Sequence, residues 1–377
     1  MEEGAKVMIM IGCDFHPGFE EIALLDTSTG RRWQSWLSHA FGLDRVRKFY
    51  GELSKPVLVG LEASGYSLWY EEMLEELGIE LWVGDPGQIR KAAPGKQKTD
   101  RNDARLLLQR LEEKRFPRIW VPDKATRDLR PLLMHRHKLV TMRRAISNQL
   151  QAIAINRGLQ KKRALWSKEG REQLRSLELP HWTRRRRDEL LALREQWDAE
   201  IAELDEVVEH QAERNTDARY LMHHQRGEGP ITALAVVLSL GPVERFASAR
   251  KVASYAGLIP AEYSSGGRQR LGHISKEGNP FLRWVLVESA TVAVQHDPEF
   301  KHRYWRLVER RGKSIAKVAM ARKLLVRLYW MLRRRHLSRV GRPKKSQCTA
   351  VEALGSATAP QGSSRLDMAD GMNRSLQ

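Results

Sequence analysis

Four carboxylates are spaced so that they could share one divalent cation. Asp14 follows a predicted first strand, Glu62 ends a predicted fourth strand, and Asp100 and Asp103 lie three residues apart at the start of a predicted helix. Strand ends of this kind meet at one edge of an α/β sheet, and a three-residue step puts two helical side chains on one face. Oxygen ligands suit Mg²⁺ or Mn²⁺. The spacing therefore predicts a metal-assisted phosphoryl-transfer site, with Asp85 as a spare candidate.

Each of these carboxylates also has a simpler interpretation. Asp14 and Glu62 would merely cap strand ends, and Asp100 and Asp103 would favour a helix N-terminus through the helix dipole. For either pair of carboxylates alone, the simpler interpretation is preferred. All four together, placed by a ribonuclease H-like order of strands and next to a basic segment, favour a metal site.

Two adjacent serines, Ser264 and Ser265, lie in a glycine-rich loop. No Gly-x-Ser-x-Gly elbow surrounds them, which argues against an acyl hydrolase. Guanidinium groups bind phosphate oxygens in pairs, so the nearby cations are predicted to contact nucleic acid: Arg268, Arg270, Lys276 and Arg283. From spacing alone, an ordinary polar loop is the preferred interpretation of the serines.

A second phosphate-binding candidate is the Gly227-Glu228-Gly229 turn between two apolar helical segments. It resembles the Gly-x-Gly hairpin of helix-hairpin-helix modules, in which the glycines let backbone N–H groups approach a phosphate. Glu228 stands where that hairpin usually has an apolar residue. A purely structural turn therefore remains an alternative.

The order of predicted elements places these motifs in separate regions. Strands are predicted at 7–13, 21–25, 33–37, 56–61 and 79–83, helices at 44–53 and 66–77, and a further helix after its cap Thr99. Ribonuclease H-like nucleases and integrases use this order. Two long helices, 124–157 and 183–215, follow and predict a helical hairpin or coiled coil. The predicted domains are 1–122, 123–216 and 217–337, with a basic and then disordered tail at 338–377.

Charge is distributed unevenly along the chain. Residues 1–89 hold 7 Lys/Arg and 15 Asp/Glu, whereas residues 90–150 hold 17 and 6, and residues 301–346 hold 17 and 1. A charge run is usually a solvated face, but runs as basic as these repel themselves unless a polyanion neutralises them. The pattern favours nucleic acid as the partner over a membrane surface.

Composition excludes several other classes of protein. The 377 residues include two cysteines, Cys13 and Cys348, which rules out a disulfide scaffold and a cysteine-rich zinc ribbon. The longest apolar stretches, such as residues 231–240, are about half of a membrane span. A soluble, cytoplasmic protein is expected.

Several motifs together resemble one family, the DEDD transposases of bacterial insertion sequences, which includes Piv-type DNA invertases and bridge-RNA-guided recombinases. The resemblance covers about residues 7–335. Its motifs are Ile11-Gly12-Cys13-Asp14, Gly60-Leu61-Glu62-Ala63-Ser64-Gly65, Lys98-Thr99-Asp100-Arg101-Asn102-Asp103-Ala104, Tyr255-Ala256-Gly257-Leu258-Ile259-Pro260 and Ser264-Ser265-Gly266.

The resemblance implies roles for these residues. The first domain would be RuvC-like, with a tetrad of Asp14, Glu62, Asp100 and Asp103 binding Mg²⁺, and Ser265 would be the nucleophile, although Ser264 leaves that assignment open by one residue. It also implies donor and target DNA, a structured non-coding guide RNA, a homo-oligomer with composite sites, and a place at the bacterial nucleoid. Two alternatives stay open: a junction-resolving nuclease that uses only the carboxylates, and an architectural protein with a decayed site.

Overall fold

The computed structural model describes residues 8–40, 42–54, 56–92, 99–160, 163–264 and 267–339. The chain divides into two compact units, Met1–Asp128 and Leu129–Gln377. The finer division into a helical region, a serine-bearing domain and a tail stays a prediction, and the tail from residue 340 lies outside the described residues.

The first unit is built on a five-stranded mixed sheet. Its elements, in chain order, are β1 (Ile9–His16), β2 (Phe19–Asp26), β3 (Arg32–Ser38), α1 (Leu43–Gly51), β4 (Val57–Glu62), α2 (Leu68–Glu76), β5 (Glu80–Gly84), α3 (Pro86–Ala92) and α4 (Asp100–Glu112). The strand order is β3-β2-β1-β4-β5. The first three strands form an antiparallel meander, and β4 and β5 join β1 in parallel. All five predicted strands are present.

Helices cover both faces of this sheet. On one face, α1 and α2 pack on alternate residues of β1 and β2 and bury an apolar core with Ile11, Ile22 and Leu24. On the other face, α4 lies directly on Gly12 of β1. A Cβ at Gly12 would fall well inside contact distance of the backbone of Ala104 and Leu108. The missing side chain therefore lets α4 approach the sheet closely enough to bring its first turn to the end of β1.

The first strand is longer than the sequence predicts. Asp14 was expected to end it, but β1 continues to His16, which pairs with Phe19 across a tight turn. The parallel pairing with β4 stops at Cys13 and Leu61. Asp14 therefore marks the end of the parallel ladder, while the antiparallel ladder with β2 carries the strand two residues further.

A carboxyl group lies inside the core of the first unit. Glu20 on β2 is fully buried, and its Oε2 accepts hydrogen bonds from the Cys13 thiol and the Tyr50 hydroxyl, both at 3.3 Å. The Tyr70 hydroxyl donates to that of Tyr50 at 2.7 Å. Burial raises the pKa of Glu20 from 4.5 to about 7. No motif in the sequence predicts that this residue is buried.

Replacing Glu20 with Gln is expected to stabilise the protein in alkaline solution. The folded protein binds the Glu20 proton more tightly than the unfolded chain, so folding stability falls as pH rises from about 4.5 to about 7 and then levels off. At pH 8, Glu20→Gln should raise the free energy of unfolding by about 2 kcal/mol. Denaturant unfolding at pH 5 and pH 8 tests this, with Glu21→Gln on the same strand as control. A gain of equal size at both pH values would contradict it.

The second unit is mainly helical. Its elements are α5 (Lys124–Ile155, which begins in the first unit), α6 (Lys168–Ser176), α7 (His181–Arg214), α8 (Thr216–His224), α9 (Pro230–Leu240), α10 (Ala249–Tyr255), β6 (Pro260–Glu262), β7 (Leu271–Ile274), α11 (Pro280–His296), α12 (Pro298–Arg311) and α13 (Lys313–Arg339). The two long predicted helices are α5 and α7. The sequence did not predict α6 or the β6–β7 hairpin, because both are short and polar.

Ion pairs and apolar contacts join α5 to α7. Arg136 donates to Asp205 at 2.7 Å, and Arg143 donates to Asp198 at 2.8 Å. Since 69 and 55 residues separate these partners, the helices run antiparallel as a hairpin. Beyond it, helices α8 to α13 share one large apolar core with the adjoining parts of α5 and α7. Within the described helices, none combines the length and apolar composition needed to cross a bilayer.

Candidate active site

Strand register places Asp14 and Glu62 side by side. Leu61 of β4 pairs with Cys13 of β1, and the next residue on each strand is a carboxylate. Side chains alternate between the faces of a sheet. Asp14 therefore projects on the same face as Gly12, and Glu62 on the same face as Gly60, which is the face that α4 covers. Both carboxylates are half-buried.

The start of α4 supplies the other two carboxylates. Thr99 is its N-cap, as predicted, and its side-chain oxygen accepts a hydrogen bond from the backbone N–H of Asn102. Asp100 and Asp103 then lie three residues apart in the first turn of α4, on one face of the helix. With α4 held against Gly12, that turn is brought to the end of β1.

A histidine lies between Asp14 and Asp100. His16 Nε2 is 3.3 Å from Asp14 Oδ2 and 3.6 Å from Asp100 Oδ1. The ligand atoms of these three residues all lie within 4.8 Å of one another, and Glu62 and Asp103 are not part of that group. The ring of His16 stacks on Phe19, with centroids 4.7 Å apart. This contact orients the imidazole toward the carboxylates.

The electrostatics of Asp14 indicate a site crowded with negative charge. Burial raises the pKa of Asp14 above its ordinary value of 3.8, His16 opposes that rise, and the carboxylates of Asp103 and Asp100 add to it. Asp103 is therefore close enough to Asp14 to disfavour its ionised form. A divalent cation would relieve this repulsion, so these residues fit a metal site.

Sequence reasoning did not identify His16. The signal that could have found it is the two-residue step from Asp14, which places both side chains on one face of a strand. Asp85, by contrast, is a candidate ligand from the sequence whose carboxylate makes a different contact in the structure. Its Oδ1 accepts a hydrogen bond from the backbone N–H of Gln88 at 2.8 Å and so caps α3, which is a structural role.

The serine loop connects β6 to β7. Ser265 and Gly266 lie outside the described residues, and Ser264 is exposed at the end of the hairpin. The Ser264 hydroxyl donates to Glu262 Oε1 at 2.6 Å and accepts a hydrogen bond from the backbone N–H of Arg270 at 3.1 Å. Ser264 thus holds the two sides of the hairpin together. Arg268 and Arg270 are exposed in the same loop, and Lys276 is exposed just after β7, at the base of the hairpin.

The base of this hairpin is fixed by close backbone contacts. Gly257 and Gly278 both have positive φ values, and a Cβ on either would clash with backbone carbonyl oxygens of the opposite segment. Arg283 Nη1 donates to the carbonyl oxygens of Ala256, Glu277 and Gly278 at 3.1 to 3.3 Å. Arg283 therefore braces the hairpin, and its predicted contact with nucleic acid stays a prediction.

A cavity of about 1050 Å³ lies beside the hairpin, between β6, β7, α12 and α13. Its apolar lining includes Leu258, Ile274 and Val318, and Lys276, Arg322 and other cations also line it. The predicted phosphate contact Lys276 is therefore part of a concave basic surface.

The Gly227–Gly229 turn connects α8 and α9. Gly227 has a φ of 82°, and Gly229 is the N-cap of α9. Between them, Glu228 is buried and accepts a hydrogen bond from the Ser289 hydroxyl at 2.6 Å, and burial raises its pKa to about 7. Glu228 thus points into the core, where the apolar residue of a helix-hairpin-helix turn would lie. The phosphate-binding role of the two glycines stays a prediction.

Sheet and carboxylates together define a class of protein. A mixed sheet of this order, with acidic residues on β1, β4 and the covering helix and a mainly helical second unit, is consistent with ribonuclease H-like DEDD enzymes. Residues 11–154 match a family model of the DEDD type described as a transposase, and residues 219–305 match the model for the IS116/IS110/IS902 transposase family.

Individual relatives agree with the family models. The chain is 31% identical over 304 residues to a Pseudomonas aeruginosa protein named "Probable family 20 transposase", covering 76% of this chain and 87% of that protein. It is 28% identical over 287 residues to the transposase for insertion sequence element IS1111A of Coxiella burnetii, covering 74% and 78%. The chain belongs to the IS116/IS110/IS902 family of transposases, which are enzymes that cut and join DNA.

Proposed function

We propose that this transposase cuts DNA by attack of Ser265 on a phosphodiester, assisted by a divalent cation at the carboxylates. The observation that carries the proposal is that Asp14 and His16, at the end of β1, converge with Asp100 in the first turn of α4. Asp103 and Glu62 complete the set from the same helix turn and the neighbouring strand. Mg²⁺ or Mn²⁺ would supply positive charge for the scissile phosphate and the leaving oxygen.

The proposed serine step conserves the energy of the phosphodiester. The Ser265 oxygen forms a bond to phosphorus, the bond from phosphorus to one sugar oxygen breaks, and that oxygen gains the proton given up by serine. Attack by a sugar hydroxyl on the phosphoserine reverses this exchange and joins DNA without ATP. Arg268, Arg270 and Lys276, exposed around the hairpin, are proposed to hold the phosphate for attack.

Two partners belong to the same proposal. A structured non-coding RNA would guide the choice of donor and target DNA, and a homo-oligomer would combine the carboxylates of one subunit with the serine hairpin of another. The support is the resemblance to guided recombinases and the excess of basic residues in 90–150 and 301–346.

The direct test is to trap protein covalently attached to DNA. Full-length protein, Mg²⁺, substrate DNA and the element's non-coding RNA are combined and separated under denaturing conditions. A labelled band of protein joined to DNA is the expected result. Free DNA ends without attached protein would instead indicate a nuclease that uses only the carboxylates.

We further propose that His16 contributes a nitrogen ligand at the cation site. Imidazole favours Mn²⁺ over Mg²⁺ relative to an all-oxygen site. We expect His16→Gln to weaken Mn²⁺ binding by about tenfold and Mg²⁺ binding less. Isothermal titration with each metal measures this, and the exposed His135→Gln serves as control. Equal losses for the two metals would show that His16 acts on the site by charge or packing alone.

A further inference from the structure

A folded cap closes the far end of the α5–α7 hairpin. We define it as residues 156–187, of which residues 161 and 162 lie outside the described part of the chain. It connects the two long helices through a 3₁₀ turn (Arg163–Trp166) and α6. The family models match residues 11–154 and 219–305, so the cap lies outside both. Neither family model therefore assigns a role to the cap.

The cap has a core of its own. Leu165 and Leu174 are fully buried against Ile146, Leu150 and Leu191 of the long helices. Gly170 allows α6 to lie against the backbone of Ala164 and Leu165, where a Cβ would clash. These contacts hold the cap in a fixed conformation. A simple turn between two helices would not need a core of this kind.

One of four consecutive arginines is used to build the cap. Arg187 is 5% exposed, and its Nη1 donates to the carbonyl oxygens of Leu174, Arg175 and Leu177 at the end of α6. The preceding residues, Arg184, Arg185 and Arg186, are all exposed. Arg184 also donates to the carbonyl oxygen of Leu179, and Arg185 pairs with Glu189. These contacts leave all three guanidinium groups exposed on the surface, unlike that of Arg187.

Charge changes sign where the cap ends. Residues 156–187 contain 11 Lys/Arg and 3 Asp/Glu, whereas residues 188–213 of α7 contain 1 and 10. Arginines in the first turns of α7 also oppose its helix dipole, so they destabilise the isolated protein. The acidic part of α7 repels a polyanion, which leaves the basic cap as the end of the hairpin that attracts one.

An exposed tryptophan lies within this basic surface. Trp182, in the first turn of α7, is 71% exposed, and its ring meets that of His181 edge-to-face with centroids 4.7 Å apart. On a helix, Arg185 and Arg186 lie on the same face as Trp182, at the third and fourth positions after it. An indole beside guanidinium groups suits a nucleotide, since it stacks on the base while the cations hold phosphates.

We infer that the cap binds unpaired nucleotides in a loop of a folded RNA, with Trp182 stacked on a base. Base faces are hidden inside a duplex, whereas RNA loops display them. The identity of this partner rests on the proposed function, which includes a non-coding RNA. The location of the site rests only on Trp182 and the basic cap.

Binding of a fluorescent RNA by the full-length protein tests the inference. The probe is an RNA stem-loop with 2-aminopurine in the loop, and the competitors are the blunt stem duplex and a single-stranded DNA of the loop sequence. We expect wild-type protein to quench the fluorophore by stacking. Trp182→Ala should remove the quenching and weaken binding about tenfold, and Trp182→Phe should restore part of both.

Matched variants separate stacking from charge. Arg186→Glu in the cap should weaken binding, whereas Trp36→Ala on β3 and Arg219→Glu on α8, which are also exposed, should leave the quenching intact. Unchanged quenching in Trp182→Ala would overturn the inference, as would equal competition by the duplex or by the single-stranded DNA. Loss of self-association in Trp182→Ala, with RNA binding retained, would make the cap a subunit contact instead. None of these outcomes depends on whether DNA becomes attached to Ser265.

Discussion

We expect the Asp14→Asn transposase to bind nucleic acid as before but to cut DNA strands far more slowly. Asn keeps the shape of the side chain and removes the negative charge that attracts the cation, so stabilisation of the scissile phosphate is lost. Several kcal/mol of such stabilisation correspond to a fall in cleavage rate of about 10³-fold. Glu62→Gln, Asp100→Asn and Asp103→Asn should behave alike. Cleavage of labelled DNA in Mg²⁺ measures the rate, and a gel-shift assay measures binding.

The control for charge is Asp85→Asn. Asp85 follows the neighbouring strand β5 and was the spare candidate ligand, but its carboxylate caps α3. Its replacement should leave both cleavage and stability nearly intact, because the side-chain oxygen of Asn caps a helix about as well as that of Asp. Full cleavage by any two of the four proposed ligand variants would refute a shared metal site. Loss of cleavage in Asp85→Asn, in a folded protein, would add Asp85 to that site.

The architecture of the first unit was predictable because its signals are local. Most strands contain a short apolar run, and each ends at a turn or at a carboxylate, so the order of elements can be read along the chain. Thr99 predicted the start of α4 because a threonine oxygen accepts a hydrogen bond from the first helical turn. The positions of Asp100 and Asp103 followed from that one residue.

Features that depend on contacts across the fold were not predictable. His16 becomes part of the site because the antiparallel ladder extends β1 past Asp14, which only the pairing with Phe19 reveals. Glu20 is a polar residue in a strand, yet it is buried beside the hydroxyl groups of two tyrosines, one on α1 and one on α2. The cap appeared to be a break between long helices, because its core is completed by Ile146 and Leu191 on those helices.

The geometry of Ser264 bears on which serine attacks DNA. Its hydroxyl donates to Glu262 and accepts a hydrogen bond from the backbone N–H of Arg270, so both sides of the hairpin already use it. To attack a phosphate, Ser264 would have to give up these bonds. The resemblance to the DEDD transposases implies a nucleophile directly before a glycine, and Ser265 precedes Gly266. Both considerations support Ser265.

We therefore expect Ser265→Ala to eliminate the covalent adduct of protein and DNA. Ser264→Ala should reduce it by about tenfold, since the two hydrogen bonds that it loses are worth roughly 0.5–1 kcal/mol each. The adduct is quantified on a denaturing gel, and Ser275→Ala in the segment after β7 controls for general damage to the hairpin. If only Ser264→Ala abolishes the adduct, the nucleophile is Ser264 and not Ser265, and the proposed mechanism is otherwise unchanged. If the adduct survives in the double variant, serine is not the nucleophile, and the carboxylate site alone must account for cleavage.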